Sequence, residues 1–271
     1  MSGGGMRCVY GVGVLTALVE EYGFTEPDII VAASGSVANA AYYLAGQYRS
    51  VILAWLAILG GTRFISYKRK KIMDIDYLVD DVFKKQNPFD FKALARSKTK
   101  FFLATTRVID GKTVYMKLPK TKAIYERMRA AKAVPVIYGK EVRIGKTNYI
   151  DGDFGASTAD LVEKAAKEGA AKIIVVENHP GLEESKTRRF VLKGLYYQEK
   201  FLRKKGLQNA MLREMRKTET KSTAGVETAL LAPSKPLPLK SLTRKKITLR
   251  EGFNLGYADA VRSKELRTLL S

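Results

Sequence analysis

The chain has 271 residues, 46% of them apolar, and a formal net charge of +21 from 48 Lys+Arg against 27 Asp+Glu. That apolar fraction supplies a sizeable core and excludes a disordered polypeptide. One cysteine, Cys8, excludes an internal disulfide and points to a reducing, cytoplasmic setting; with a single histidine, it also argues against a zinc or other soft-metal site.

The chain opens on Gly3-Gly4-Gly5, only two residues after Met1. A glycine-rich turn of this kind usually follows a strand, so either the start lies upstream or this version lacks an edge. Val9–Tyr22 reads as a helix with Val12, Leu15, Leu18 and Val19 on one side and Gly23 as its stop. Asp28–Ala33 is a buried strand leading into Ser34-Gly35-Ser36, then a small, apolar helix over Val37–Ala45 and another helix over Val51–Leu59. That last run is far short of the ~20 residues that cross a bilayer. No secretory signal is visible, so the chain reads as soluble or at most bound to a membrane surface. Residues 62–100 are mixed and basic, with an acidic-centred helix over Ile72–Phe83.

Phe101–Val108 and Thr113–Lys117 read as strands joined by the hairpin signal Asp110-Gly111. Lys120–Ala131 is a helix. Val134–Tyr138, Glu141–Ile144 and Thr147–Ile150 read as short strands separated by Gly-Lys turns. Thr158–Glu168 is a helix, Lys172–Val176 a buried strand, Thr187–Lys217 a basic helical region, Glu227–Leu231 a last strand and Phe253–Leu270 a closing helix. Alternating strands and helices favour an α/β sandwich with a largely parallel central sheet. No repeat or linker interrupts the chain, so residues 1–271 read as one domain.

Three places carry chemistry. The strand–Ala32-Ala33-Ser34-Gly35-Ser36–helix sequence reads as a nucleophile elbow, which lifts a serine hydroxyl toward the amides of a helix N-terminus. A serine N-cap on a buried helix is the alternative. Gly3-Gly4-Gly5-Met6-Arg7 lets backbone amides converge on an anion, an oxyanion or a phosphate; it matches neither the P-loop nor the dinucleotide fingerprint, and a flexible tail is its plain alternative. Tyr149-Ile150-Asp151-Gly152-Asp153 puts an aspartate at a strand end, where a simple turn is the rival reading.

Taken together these residues resemble the patatin-like phospholipase family, and the resemblance runs over nearly the whole chain. Gly3–Arg7 is similar to its oxyanion loop, Val31–Asn39 to its elbow with Ser34 as nucleophile, and Asp151-Gly152 to the motif that carries its catalytic aspartate. The stretch 40–47, Asn87-Pro88-Phe89-Asp90, and Arg129-Ala130-Ala131 with Pro135 resemble further segments of its small bacterial and archaeal members. Ala32 and Ser36 depart from its elbow glycines, Cys8 and Asp153 stand where it has smaller residues, and its first strand is missing.

The resemblance implies a three-layer α/β sandwich and a serine acyl hydrolase acting on phospholipid or another acyl ester. Asp151 would take the Ser34 proton, and amides of Gly3, Gly4, Gly5, Met6 and Arg7 would hold the oxyanion. No metal or organic cofactor is implied. The chain order Ser34, Asp151, His179 also allows a triad, but the dyad works without histidine and His179 then reads as a turn residue. Ser36 fits the nucleophile place less well than Ser34. A relative without turnover that binds anionic lipid is the second reading.

The surplus charge attracts anionic partners, unless it reflects only a lysine-rich proteome. No nucleic-acid motif is present, so nucleic acid is not an expected partner. Between Lys186 and Lys221 twelve Lys/Arg and three acids interleave with Phe190, Tyr196, Tyr197 and Phe201. This pattern suits either an interfacial helix on an anionic membrane or a solvated helix packed on the sheet.

Overall fold

A computed structural model describes residues 1–135, 137–179, 208 and 226–271. The basic stretch 186–221 therefore lies outside the described residues, apart from Gln208. Helices cover a central sheet. Its elements are α1 (Val9–Glu20), β1 (Ile29–Ala32), α2 (Gly35–Leu44) and α3 (Tyr48–Leu53), which runs on as a π-helix over Ala54–Ile58. Then come α4 (Ile75–Tyr77), a second π-helical stretch over Leu78–Gln86, and α5 (Phe91–Arg96). The middle of the chain forms β2 (Lys100–Arg107), β3 (Thr113–Lys117), α6 (Ile124–Ala131), β4 (Val142–Ile144) and β5 (Thr147–Asp151). The remainder is α7 (Thr158–Lys167), β6 (Lys172–Val176), β7 (Glu227–Leu231), α8 (Lys246–Arg262) and α9 (Lys264–Leu270).

The sheet is mixed, which corrects the largely parallel one expected. β1 pairs with β2 in parallel, but β2–β3, β2–β5 and β4–β5 are antiparallel. The cause is local: the turns at Asp110-Gly111 and Gly145-Lys146 make hairpins, and hairpin-joined strands are antiparallel. The strand expected over Val134–Tyr138 is not formed by its described residues; there the Tyr138 N–H turns back to the Val134 carbonyl at 3.0 Å. Pro135, lacking an N–H, suits a turn better than a ladder. The closing helix is two, parted at Ser263, whose hydroxyl accepts the Leu266 N–H and starts α9.

Register decides what the sheet can build. β3 covers one edge of β2 over residues 102–106, so β1 and β5 share the other edge end to end. β1 ends with Ala32 opposite Leu103, and β5, running the other way, ends with Asp151 opposite Thr105. Two strand ends thus converge two residues apart on β2.

Side-chain alternation along β1 splits the core. Ile30 and Ala32 face the larger cluster, which holds residues of α1, α2, α6 and α8; Val31 and Ala33 face a smaller one with Leu161 and Ala165 of α7. In the larger cluster α1 and α8 cross with backbones in contact. A Cβ at Gly13 would lie 2.0 Å from the Phe253 carbonyl oxygen, and one at Gly256 2.0 Å from that of Tyr10. No side chain fits there.

β6 and β7 form a separate parallel pair. Met1 and Ser2 lie between β1 and β6. The Met1 amine donates to the Val31 carbonyl (2.9 Å), the Ala33 N–H to that of Met1 (3.2 Å), and the Ser2 N–H to that of Val176 (2.9 Å). Beyond this two-residue link the two strands face each other across an apolar slot lined also by Leu15, Leu18 and Leu161.

Candidate active site

Ser34 has φ 50° and ψ −124°, the one positive φ outside glycine among the described residues. Such a backbone costs on the order of 1–3 kcal/mol and persists only where its surroundings enforce it. Here the Ser36 N–H holds the Ala33 carbonyl at 3.1 Å, the Val37 N–H holds that of Ser34 at 3.2 Å, and the buried Lys132 ammonium donates to the same Ser34 oxygen. Small neighbours are needed behind the turn: a Cβ on Gly35 would lie 2.7 Å from the Sγ of Cys8.

The Ser34 hydroxyl donates to Oδ2 of Asp151 at 2.7 Å, joining the two converging strand ends. Asp151 Oδ1 accepts the Asp153 N–H at 2.8 Å, and its backbone is pinned by the Ala133 carbonyl and the Thr106 hydroxyl. The carboxylate is 2% exposed. Burial, with the charge of Asp153, pushes its pKa up to about 7 against the opposing pull of the Ser34 hydroxyl, the Asp153 amide and Lys132. A buried carboxylate that titrates near neutrality and accepts a serine hydroxyl is placed where it could take that proton.

In the glycine run Gly4 has φ 144° and Gly5 φ 60°, conformations that favour glycine. The Met6 amide donates to the Ser241 carbonyl (3.0 Å) and the Arg7 amide to that of Gly4 (3.3 Å). The amides of Gly3, Gly4 and Gly5 donate to no described residue, and Gly5 lines the same cleft as Ser34.

That cleft encloses about 540 Å³ including its open mouth and runs from Ser34 and Gly5 to Trp55, Phe64, Met73 and Phe83. Its wall is apolar with few polar groups, the make-up of a small-molecule site. Both π-helical stretches contribute to it, through Ala54, Trp55, Leu78 and Phe83. Asn39 fixes Trp55, accepting its indole N–H at 2.7 Å while donating to the Cys8 carbonyl at 2.9 Å.

His179 stands apart from the serine proton. Its Nε2 is 3.6 Å from Asp153, its backbone N–H donates to Glu177, and Ser34 reaches Asp151 directly with no imidazole between. Ser36 is fully buried and donates to the Ser2 carbonyl at 2.7 Å.

Two residues here escape reading from the sequence. Asn178 donates to the Ser2 carbonyl (2.8 Å) and the Ser36 hydroxyl (3.1 Å) and accepts the Gly11 N–H (3.0 Å), tying the start of the chain, the elbow and α1 together. Lys132 sits 3% exposed below Ser34. Only the Pro135 spacing drew attention to its segment, and nothing in one sequence marks either residue. A family model described as patatin-like phospholipase matches residues 1–158. No curated protein matches the chain.

Proposed function

The chain belongs to the patatin-like phospholipase family, which suggests lipid acyl hydrolase activity, and from that premise we propose that it is a serine carboxylic ester hydrolase working through a Ser34–Asp151 dyad. The observation that carries the reading is the 2.7 Å hydrogen bond from the Ser34 hydroxyl to a buried carboxylate poised near neutrality. Asp151 takes the hydroxyl proton as Ser34 Oγ adds to the ester carbonyl carbon. The oxyanion so formed is held by amides of the Gly3–Arg7 loop. Those of Gly3, Gly4 and Gly5 are the best placed, because the Met6 and Arg7 amides already have acceptors. Collapse expels the alcohol, which leaves with the proton from Asp151. Water then gives its proton to Asp151, adds to the acyl-enzyme, and releases the acid and the free serine.

The apolar cleft beside Ser34 supports an acyl chain as the group that is bound. Residues beyond the matched segment brace the site, Asn178 at the elbow and Ser241 under the glycine loop. This supports one catalytic domain over 1–271 on a three-layer scaffold. The +21 charge keeps an anionic membrane surface in the reading; co-sedimentation with anionic but not zwitterionic vesicles checks it, and equal pelleting with both removes it. The dyad itself is tested with a fluorophosphonate probe and a p-nitrophenyl ester. The expected result is an adduct mapped to Ser34 together with loss of ester hydrolysis. Hydrolysis that survives full labelling, or an adduct elsewhere, sinks the assignment.

A further inference from the structure

Three basic side chains among the described residues are buried: Arg7, Arg129 and Lys132. Arg129 answers three carboxylates, Asp76 at 2.6 Å, Asp80 at 2.8 Å and Glu126 at 3.4 Å. Among the described residues Lys132 makes no ion pair. Its ammonium donates to the carbonyl of Ser34 and, at 3.4 Å, to that of Gly35, and it lines the cleft together with Ser34 and Gly5. This is an expensive place for a cation. It is out of water, and it lies at the N-terminal end of α2, where a helix favours negative charge. The Lys132 backbone follows the last residue of α6, an end where a surface-directed lysine would be well placed. Its side chain instead turns inward to the nucleophile.

We infer that Lys132 is a positioning residue for the dyad: its ammonium, lodged behind the Ser34 main chain, keeps Asp151 in the ionised, proton-accepting form. The inference rests on the Ser34–Asp151 reading above. The titratable groups acting on this cation are Cys8, from the turn before α1, and Asp151, at the end of β5; Asp153, just beyond β5, acts instead on Asp151 and lies 3.6 Å from His179. Cys8 is a neutral thiol, pushed up to about 12 by burial. Asp153 opposes ionisation of Asp151, whereas Lys132 favours it. Lys132 is not the base itself, because the serine proton points to Asp151 and the ammonium to a carbonyl. Burial lowers it only to about 8, so it stays largely protonated where Asp151 ionises.

The test measures the rate of fluorophosphonate labelling at Ser34 against pH, for wild type, Lys132→Gln and Lys132→Met. Glutamine keeps a donor for the Ser34 carbonyl and removes the charge; methionine removes both. The expected result is that both variants need a higher pH to label, by a unit or more. They then react roughly fivefold more slowly at pH 7 and approach wild type at pH 9. If Lys132→Met does not fold, Lys132→Gln alone carries the comparison. Superimposable profiles overturn the inference, as does a glutamine variant that matches wild type while methionine is slowed equally at every pH, since the lysine then serves only to brace the turn. A wild type that labels nowhere near Ser34 fails the dyad reading and takes this inference with it; a wild type that labels at Ser34 with unshifted variants fails this inference alone.

Discussion

Asp76 and Asp151 are treated oppositely by the same molecule. Asp76 accepts from Arg129 (2.6 Å), Tyr138 (2.6 Å), Lys140 (2.9 Å) and Lys71 (3.1 Å). Burial raises it, but the bonds from Tyr138, Lys140 and Lys71 outweigh burial and hold it far below the usual carboxylate range. Asp151 is given one hydroxyl, one amide and a cation at one remove, and burial prevails. The first region fastens α4 to α6 with a carboxylate that never takes a proton near neutrality. The second withholds donors and so leaves a carboxylate able to accept one. The difference between an anchor and a base lies in the number of partners.

The comparison can be broken from either side, and the largest effect is expected at Ser34. Ser34→Ala should lower ester hydrolysis by at least about 10³-fold with the circular dichroism spectrum unchanged, since among the described residues the hydroxyl bonds only to Asp151. Steady-state turnover of a p-nitrophenyl ester checks this, and residual activity near wild type removes Ser34 from the chemistry.

Asp151→Asn should cost roughly 10²–10⁴-fold in the same assay, because an amide accepts no proton there. In wild type, kcat/KM should rise with pH through about 7, following the carboxylate. Stability should move the other way. The folded state holds this proton up to about 7 and the unfolded chain loses it near 3.8, so stability falls as pH rises across that window. The asparagine variant escapes that loss. Its Tm should exceed wild type at pH 8, by roughly 2 °C for each kcal/mol regained, and the gap should close near pH 4. A variant less stable than wild type at pH 8 would show that Asp151 is an anchor after all.

Arg129→Met should reverse the pattern, losing about 3 kcal/mol of stability in urea while the folded fraction keeps its specific activity. Asp76 adds its own sign: its stabilisation is present above about pH 4 and fades as acid protonates it. Next in size is Ala54→Phe on the cleft wall, which should shift preference toward shorter acyl esters in a chain-length series. His179→Ala should change turnover by less than about threefold; a loss matching that of Asp151→Asn would put the histidine back into the proton path.

Local chemistry made much of this readable. The runs at 113–117, 172–176 and 227–231 are strands within the bounds their β-branched residues set. Ser34 and Asp151 each sit at a strand end followed by glycine, but it is their combination with the glycine run, and the family resemblance this carries, that singles them out. What a single chain conceals is register and depth. That β1 and β5 meet nose to nose on one edge of β2 depends on hairpins whose partners no local pattern names. Lys132 looks like any of the 48 basic residues until its ammonium is seen under the elbow. Helix Phe91–Arg96 was hidden in a mixed basic stretch and owes its start to Asp90, which caps the Ala93 N–H.

The position of Cys8 has a use at the bench. It is the chain's sole thiol, packed against Gly35 at the back of the elbow, fully buried and pushed up to about 12. Such a sulfur presents almost no thiolate at neutral pH and offers an alkylating reagent no approach. Each iodoacetamide adduct therefore records one moment at which the glycine turn and the elbow came apart. Under excess reagent the modification rate is a clock on the opening of this turn and elbow, read by mass on an unlabelled, wild-type protein.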